Sequence, residues 1–369
     1  MIPMNDFKLQ VATLRKELDD SIARVLESGH FILGPEVQAF ESEFARFVGA
    51  DHAIGVGNGM EAIELGLLAA GIGAGDEVIT TPNSAFATAL AIVRVGAIPV
   101  FVDIDDRNYA LDPNQAKQAI TPRTRAIMPV HIYGQAAELD ALLAIADENK
   151  LVFIGDAAQA QGTKFRGRDV GTFRDLTTYS FYPTKNLGAF GDAGMVVTAS
   201  SEIAAKVRAL RDYGQDRRYH HIIIGTNSRL DEMQAAVLRT KLHHLSAQNE
   251  RRRVIASQYI AGLEGLPLVL PRAREEHAHI YHQFVIRTPR RDALADHLKT
   301  NQIQSLVHYP ILMPDQPAMK NIRYSSGALT VARKCANEFL SLPIYPEMTT
   351  AQAEAVISSV RAFFKQGAA

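Results

Sequence analysis

Short apolar runs alternate with longer amphipathic runs between Ala53 and Met195, and no other feature of the sequence restricts the fold as strongly. Near-continuous apolar runs are typical of strands covered on both faces, and the amphipathic runs between them are typical of crossover helices. This alternation predicts an α/β fold with a mainly parallel sheet. The seven predicted strands are residues 53–57, 77–81, 98–103, 125–132, 151–156, 177–181 and 194–198.

Helical periodicity predicts a further set of elements, at residues 9–29, 35–48, 60–70, 84–95, 138–149, 201–212 and 230–263. The last of these is long enough to connect two domains. After Pro267, two strand patterns and three helical patterns predict a smaller α+β unit. We place the boundary near Leu245, which gives a large domain of residues 1–245 and a small domain of residues 246–369. Packing of the N-terminal helices on the small domain stays open.

The charges of the chain nearly cancel, since 39 Lys and Arg stand against 40 Asp and Glu. This balance gives no electrostatic reason to expect a nucleic acid or an anionic membrane as partner. Cys335 is the single cysteine, which excludes a disulfide-rich secreted domain. The N-terminus lacks the apolar segment of a signal peptide, and no apolar run approaches the roughly 20 residues that cross a bilayer. We therefore expect a cytoplasmic enzyme or binding protein.

A glycine-rich run, GVGNGM at residues 55–60, follows a predicted strand and opens a predicted helix. Backbone N–H groups at such a helix start can bind a phosphate. The run is not a dinucleotide fingerprint, because Met60 occupies the place of the third glycine. A tight turn that binds no ligand is the alternative.

Asp156 and Lys185 each lie where a predicted strand ends, Asp156 in DAAQ and Lys185 in SFYPTKN. Ligands of open α/β sheets bind at the carboxyl ends of the strands. A lysine in apolar surroundings loses its proton more readily, and the neutral amine can form a Schiff base. The alternatives are a helix N-cap for Asp156 and a surface position for Lys185. Together with the phosphate loop, this carboxylate and amine form the set that pyridoxal phosphate requires.

With these motifs, the sequence resembles the DegT/DnrJ/EryC1/StrS family of pyridoxal-phosphate-dependent aminotransferases over nearly its whole length. The resemblance is carried by residues 57–79, 96–105, 130–135, 156–162, 180–194 and 227–242. It implies fold type I, a homodimer with shared active sites, and transfer of an amino group from L-glutamate to a nucleotide-linked keto sugar. The implied cofactor is pyridoxal 5'-phosphate, with pyridoxamine phosphate as intermediate.

The resemblance also implies roles for single residues. Lys185 matches the catalytic lysine that forms the Schiff base, Asp156 the partner of the pyridine nitrogen, and Gln159 the partner of the phenolic oxygen. Phe86 matches an aromatic ring over the cofactor, and Asn227 an asparagine that reaches the phosphate in the neighbouring subunit. The remaining implied phosphate contacts are Gly59, Met60 and Ser180, and the implied substrate contacts are Tyr182, Arg218, Tyr219, His308 and Tyr309.

The phosphate loop reads GNGM where many family members have SGT, and HYP occupies residues 308–310. Both features favour a 3-keto-6-deoxyhexose as substrate, with a 4-keto sugar as the alternative. Sugar dehydratases of this fold carry histidine at the lysine position, so Lys185 counts against that reaction. A non-catalytic regulator is the remaining alternative, and we expect such a protein to have a degraded site.

A zinc site is a separate hypothesis, raised by His277, His279 and His282 in EEHAHIYHQF. Two imidazoles two residues apart on a strand share one face. However, no nearby Cys or Asp completes a set of ligands, and the family has YHQ here without a metal. We therefore expect no metal.

Overall fold

The structure is a computed structural model that describes residues 1–273 and 277–366. The α-helices assigned in these residues are α1 (Phe7–Ser28), α2 (Pro35–Val48), α3 (Gly59–Ala69), α4 (Ala87–Arg94), α5 (Pro113–Gln118), α6 (Leu139–Asn149), α7 (Ser201–Leu210), α8 (Glu232–Leu263), α9 (Arg291–Thr300), α10 (Thr330–Glu338) and α11 (Thr350–Gln366). Single 3₁₀ turns lie at Ile132–Gly134, Val170–Thr172, Met313–Asp315 and Pro317–Met319.

The strands are β1 (His52–Val56), β2 (Glu77–Thr80), β3 (Ile98–Phe101), β4 (Thr124–Met128), β5 (Val152–Asp156), β6 (Lys164–Phe165), β7 (Arg168–Asp169), β8 (Leu176–Ser180), β9 (Gly194–Thr198), β10 (Gln215–Arg217), β11 (His220–His221), β12 (His277–Ala278), β13 (Phe284–Arg287), β14 (Ser325–Ser326) and β15 (Phe339–Leu342).

The large sheet has the order β1-β9-β8-β5-β4-β2-β3-β14. The seven strands predicted from the sequence are all present in it, and the sheet is mainly parallel as predicted. The antiparallel strand β9 lies between β1 and β8. An eighth strand, β14, corrects the predicted count, because Ser325 and Ser326 pair in parallel with Val100 and Phe101. Two serines carry no apolar or β-branched signal, so the sequence could not indicate this strand.

Helices cover both faces of this sheet. On one face Phe44 of α2 and Leu238 of α8 belong to a buried apolar cluster with the strands. On the other face Leu65 of α3, Ile92 of α4 and Val207 of α7 form a second buried cluster. Burial on both faces explains the apolar centres of most of these strands, whereas β8 carries the buried Thr177 and Thr178.

The 32-residue helix α8 connects two regions of the protein. Its first half packs in the core beneath the large sheet through Leu238 and Leu245. Its second half packs through Ile255 and Tyr259 against β13, β15, α9 and α11. At its start, the buried carboxylate of Glu232 accepts hydrogen bonds from three N–H groups at the beginning of α2. This carboxylate caps α2 and attaches it to α8.

The N-terminal segment contacts both regions. Leu14 and Leu18 of α1 pack on Val237 in the first half of α8, whereas the main chain of Ile2 pairs with Ile303. The division of the chain near Leu245 stays a prediction. None of the helices within the described ranges is both long and apolar enough to span a bilayer.

Candidate active site

A cavity of about 550 Å³ opens at the carboxyl ends of β5 and β8, beside the start of α3. This is the edge at which open α/β sheets bind ligands. The structure brings together at this cavity nine of the residues singled out from the sequence, namely Gly59, Met60, Asp156, Gln159, Ser180, Tyr182, Lys185, His308 and Tyr309.

Asp156 is the last residue of β5, and its side chain is buried. One carboxylate oxygen accepts a hydrogen bond from the Thr88 hydroxyl at 2.8 Å, and the other accepts one from the Ala158 N–H at 3.1 Å. Burial raises the pKa of Asp156, whereas these two donors and the charge of Lys185 act in the opposite direction. Turns follow Asp156 instead of a helix, so the alternative of a helix N-cap is excluded.

Lys185 lies partly buried in the wall of the same cavity, in the loop after β8. Its backbone N–H donates to the Tyr182 carbonyl at 2.8 Å, which forms a tight turn in SFYPTKN. Burial lowers the pKa of Lys185 to about 8, and the negative charge of Asp156 opposes this shift. The structure therefore excludes a fully exposed surface lysine and provides an amine that loses its proton readily.

The start of α3 forms the wall opposite the strands. Asn58 caps the helix, because its side chain accepts a hydrogen bond from the Glu61 N–H at 2.9 Å. Gly59 follows at a close approach, since a Cβ atom there would lie 2.5 Å from Cβ of Ser180. Glycine thus lets the helix N-terminus, with its exposed N–H groups, meet the Ser180 hydroxyl.

Gln159 and Tyr309 extend the site towards the C-terminal region. The Gln159 amide donates to the Tyr309 hydroxyl at 3.1 Å, and its carbonyl accepts from the Tyr133 N–H at 2.7 Å. The Tyr133 hydroxyl in turn donates to the main-chain carbonyl of His308. The His308 ring contacts the Ser341 hydroxyl at 2.8 Å. Burial, together with the charge of Lys185, lowers the pKa of His308 to about 4, so this ring is neutral at neutral pH.

Phe86 differs from the prediction. Ala85 and Ala87 line the cavity, whereas the Phe86 side chain packs against the apolar cluster that contains Phe101 and Tyr133. The contact between Phe86 and a cofactor ring stays a prediction that this placement does not support. The Phe86 side chain points away from the cavity because the backbone is already helical at Phe86, and a helix directs successive side chains to different sides.

Asn227, Arg218 and Tyr219 do not line this cavity. Arg218 and Tyr219 lie at the tip of the hairpin formed by β10 and β11, where Tyr219 is 79% exposed. The exposed Asn227 pairs through its main chain with Asp212. Within one chain, therefore, these three predicted residues stand apart from the others.

Sequence reasoning missed Thr88, Asn58 and Ser228. The Ser228 hydroxyl accepts a hydrogen bond from the Gly57 N–H at 3.0 Å and so fixes the start of the glycine-rich loop. The pattern Asn58-x-x-Glu61 is typical of a helix start and could have identified the cap. Thr88 and Ser228 gave no such signal, because their contacts depend on the tertiary fold.

The three histidines of the zinc hypothesis lie in different environments. The His277 ring packs 5.0 Å from the Phe165 ring, and the His279 ring stacks on Tyr281 at 4.0 Å. His282 contacts Asn186. Within the described ranges no group of three or more His, Cys, Asp or Glu side chains is arranged to hold a metal ion.

The donors around the cavity fit pyridoxal phosphate. The cavity combines a buried carboxylate, a lysine of lowered pKa and a helix N-terminus that only glycine lets approach Ser180. A mainly parallel sheet with this set at its carboxyl edge is typical of pyridoxal-phosphate-dependent transferases.

The chain belongs to the DegT/DnrJ/EryC1/StrS aminotransferase family, whose pattern matches residues 12–361. It is 47% identical to the dTDP-3-amino-3,4,6-trideoxy-alpha-D-glucose transaminase of Streptomyces venezuelae, over 98% of this chain and 95% of that protein. It is 45% identical to a pleiotropic regulatory protein of Geobacillus stearothermophilus, over 99% of both chains.

Among solved structures, S. venezuelae DesV in complex with a ketimine intermediate superposes with a TM-score of 0.96 and 46% identity. The match covers 99% of this chain and 98% of that chain. These findings confirm the family, the fold class and the aminotransferase activity predicted from the sequence.

Proposed function

We propose that the protein transfers an amino group from L-glutamate to a nucleotide-linked 3-keto-6-deoxyhexose, with pyridoxal phosphate in the cavity that Asp156 and Lys185 line. The observation that carries this proposal is the placement of these two side chains in one cavity beside the start of α3. The similarity to a transaminase named for a 3-amino sugar supports the 3-keto substrate. Glutamate as donor follows from the family resemblance.

Bound pyridoxal phosphate would supply a carbonyl carbon that bonds to amines and a ring that accepts electrons. In this proposal the carboxylate of Asp156, which Thr88 and Ala158 hold in place, would favour a proton on the ring nitrogen through its negative charge. The N–H groups of Gly59 and Met60 and the Ser180 hydroxyl would hold the phosphate. Gln159, whose amide already reaches the Tyr309 hydroxyl, orients the ring from its other edge.

The Nζ atom of Lys185 would take up and release the proton that moves during amino transfer. With a pKa of about 8, roughly a tenth of these amines are neutral at pH 7, compared with far below one per cent for an ordinary lysine. A base whose pKa lies this close to the working pH can both take up and release a proton. Tyr182, His308 and Tyr309 line the same cavity and would contact the sugar.

The protein would act as a homodimer with shared active sites. Ile222, Ile223 and Ile224 follow the exposed hairpin residues, and Ile224 is 96% exposed. Consecutive exposed isoleucines mark an interaction surface, and a second copy of the chain would cover them. In such a dimer Asn227 would reach the phosphate of the partner subunit, and Arg218 and Tyr219 would contact its nucleotide diphosphate.

A 4-keto sugar is the alternative substrate. The sugar dehydratase reaction is disfavoured because a lysine, not a histidine, occupies position 185. A purely regulatory role is suggested by the name of the G. stearothermophilus relative. It is disfavoured because Lys185, Asp156 and Gln159 are all present at the cavity.

An amination assay tests the proposal. Purified protein with pyridoxal phosphate and glutamate would be offered nucleotide-linked 3-keto and 4-keto sugars, and products would be identified by mass spectrometry. We expect an amino sugar from the 3-keto substrates and none with Lys185→Ala. Amination of 4-keto sugars alone would overturn the regiochemistry, and no amination of any sugar would overturn the proposed reaction.

A further inference from the structure

A set of buried amide side chains lies next to Lys185 but does not line the cavity, and hydrogen bonds connect its members. It consists of Asn186, Asn249 and Gln161, which are all less than 5% exposed, and it ends at His282. We name this set the amide network. The cavity contacts described above do not include it.

Asn186 follows Lys185 directly in the chain and makes three contacts. Its Nδ2 donates to Oδ1 of Asn249 at 2.8 Å and to the carbonyl of Ile280 at 3.3 Å. Because a carbonyl can only accept, this contact fixes the orientation of the Asn186 amide. Its Oδ1 therefore faces Nδ1 of His282, at 3.2 Å, and Nδ1 must carry the proton. Asn186 is thus held from two sides, by α8 and by the segment before β13.

The other end of the amide network reaches the phosphate side of the cavity. Nδ2 of Asn249 donates to the main-chain carbonyl of Gln161 at 3.0 Å. The Gln161 amide then donates to the carbonyl of Ser180 at 2.6 Å and to that of Ala158 at 3.2 Å. Ala158 is the residue whose N–H binds the Asp156 carboxylate. One network therefore joins the loop that carries Lys185 to the ends of β8 and β5, which carry Ser180 and Asp156.

Asn249 is the central member, because its Oδ1 accepts from Asn186 in the loop after β8 and its Nδ2 donates to Gln161 in the segment after β5. Its position on α8 is set by the packing of a long helix and not by a flexible loop. Side chains held by a rigid element can fix distances between loops to within fractions of an ångström.

We propose that Asn249 is a positioning residue, which holds Lys185 at a fixed place relative to Ser180 and the Asp156 loop through Asn186 and Gln161. The effect of this positioning on catalysis rests on the proposed function. If pyridoxal phosphate binds as proposed, its phosphate contacts would set the place of its carbonyl carbon, and the amine of Lys185 would have to reach that carbon. The positioning itself is a property of the chain alone.

Asn249→Ala removes both contacts, and Asn249→Leu removes them while nearly keeping the volume, in case the smaller side chain prevents folding. Tyr259→Phe is the matched control. Tyr259 is a fully buried residue of the same helix, and its hydroxyl donates to the Pro343 carbonyl at 2.8 Å, away from the cavity. All three variants lose buried hydrogen bonds, so stability alone does not distinguish them.

The first measurement uses the full-length chain freed of cofactor. Lys185 is acetylated briefly with acetic anhydride across a range of pH, and its peptide is quantified by mass spectrometry with the exposed Lys150 as internal reference. In Asn249→Ala and Asn249→Leu, a loosened lysine loop admits water around Nζ. The midpoint for Lys185 should then rise by about half a pH unit or more towards that of an ordinary lysine. The charged or titratable groups that face Lys185, Asp156, His282 and His308, are unchanged in these variants.

The second measurement uses the cofactor-loaded enzyme. We expect kcat to fall by about tenfold while KM for both substrates changes by less than about twofold, since binding groups are intact and the reacting amine is displaced. Tyr259→Phe should change neither the labelling midpoint nor kcat.

The outcomes separate this inference from the proposed function. A wild-type midpoint and kcat in both Asn249 variants, with stability lowered as in Tyr259→Phe, would overturn the positioning role and leave the function intact. A shifted midpoint in a protein that aminates no sugar would support the positioning role and overturn the function.

Discussion

Two buried aspartates of this protein, Asp156 and Asp169, differ in the cavity and the side chains that surround them. Asp156 ends β5 and lines the active-site cavity, whereas Asp169 ends β7 and borders a separate, smaller cavity of about 300 Å³. Asp169 accepts hydrogen bonds from the Tyr179 hydroxyl at 3.0 Å and from the Gly171 N–H at 2.9 Å. Burial raises the pKa of both carboxyl groups, to about 7 in Asp169.

Burial and a raised pKa therefore do not identify the active site, because both aspartates have them. The difference is that Asp156 shares its cavity of about 550 Å³ with Lys185, whose pKa burial lowers to about 8. Asp169 borders a smaller cavity of about 300 Å³ and is bound by the Tyr179 hydroxyl. A perturbed pKa indicates function only together with a cavity and a partner that can react.

The largest effect is expected for Lys185→Ala, which removes the reacting amine opposite Asp156. Transamination should fall by on the order of 10⁴-fold or more, because no other group in the cavity can carry the proton at that place. The measurement is the rate of amino transfer from glutamate with saturating cofactor. Borohydride reduction of the wild-type protein should also fix the cofactor on the peptide that contains Lys185.

Asp169→Asn is the control for this experiment, since it alters a buried ionisable group outside the cavity. Its transamination rate should stay within about twofold of wild type. A cofactor label on a different lysine, or substantial turnover by Lys185→Ala, would show that the cavity has been assigned to the wrong amine.

The second effect concerns Asp156→Asn, which keeps the shape of the side chain and removes its charge. A neutral amide stabilises a protonated ring nitrogen less well, so transamination should fall by about a hundredfold, equivalent to about 3 kcal/mol. Cofactor binding should largely persist. If Asp156→Asn and Asp169→Asn had the same small effect on turnover, the comparison between the two aspartates would lose its functional meaning.

The sequence allowed Asp156 and Lys185 to be found because each follows a strand whose apolar run is visible locally. The seven main strands were predictable for the same reason. In contrast, β14 pairs two serines with a strand more than two hundred positions away, and Asn249 meets Asn186 only through the packing of α8. The direction of Phe86 depends on where α4 begins, and element boundaries are the least certain part of such predictions. Local patterns thus located the reacting groups, and tertiary contacts decided what holds them.

The third effect tests whether the site of Asp156 is completed by a second chain. Inactive Lys185→Ala chains would be mixed with Asn227→Ala chains, which should be impaired in phosphate binding. If Asn227 serves the partner's site, every hybrid dimer carries both lesions in one site and leaves the other site intact. Activity after subunit exchange should then exceed that of either parent, up to roughly a quarter of wild type. Hybrids that form without any such recovery, while Asn227→Ala alone is clearly impaired, would place Asn227 in its own chain's site.

The smallest effect is on stability and concerns Asp169, whose pKa of about 7 lies above the value of 3.8 for an ordinary aspartate. Between these two values the folded state binds more protons than the unfolded state, so the stability of the wild-type protein falls as pH rises from about 4 to 7.

Asp169→Asn has no such carboxyl group. It should therefore gain roughly 2–3 kcal/mol relative to wild type between about pH 5 and about pH 8, measured by urea unfolding. Asp51→Asn, at an exposed position, controls for the loss of one charge. An equal gain in both variants would mean that net charge, and not the burial of Asp169, sets the slope of stability against pH.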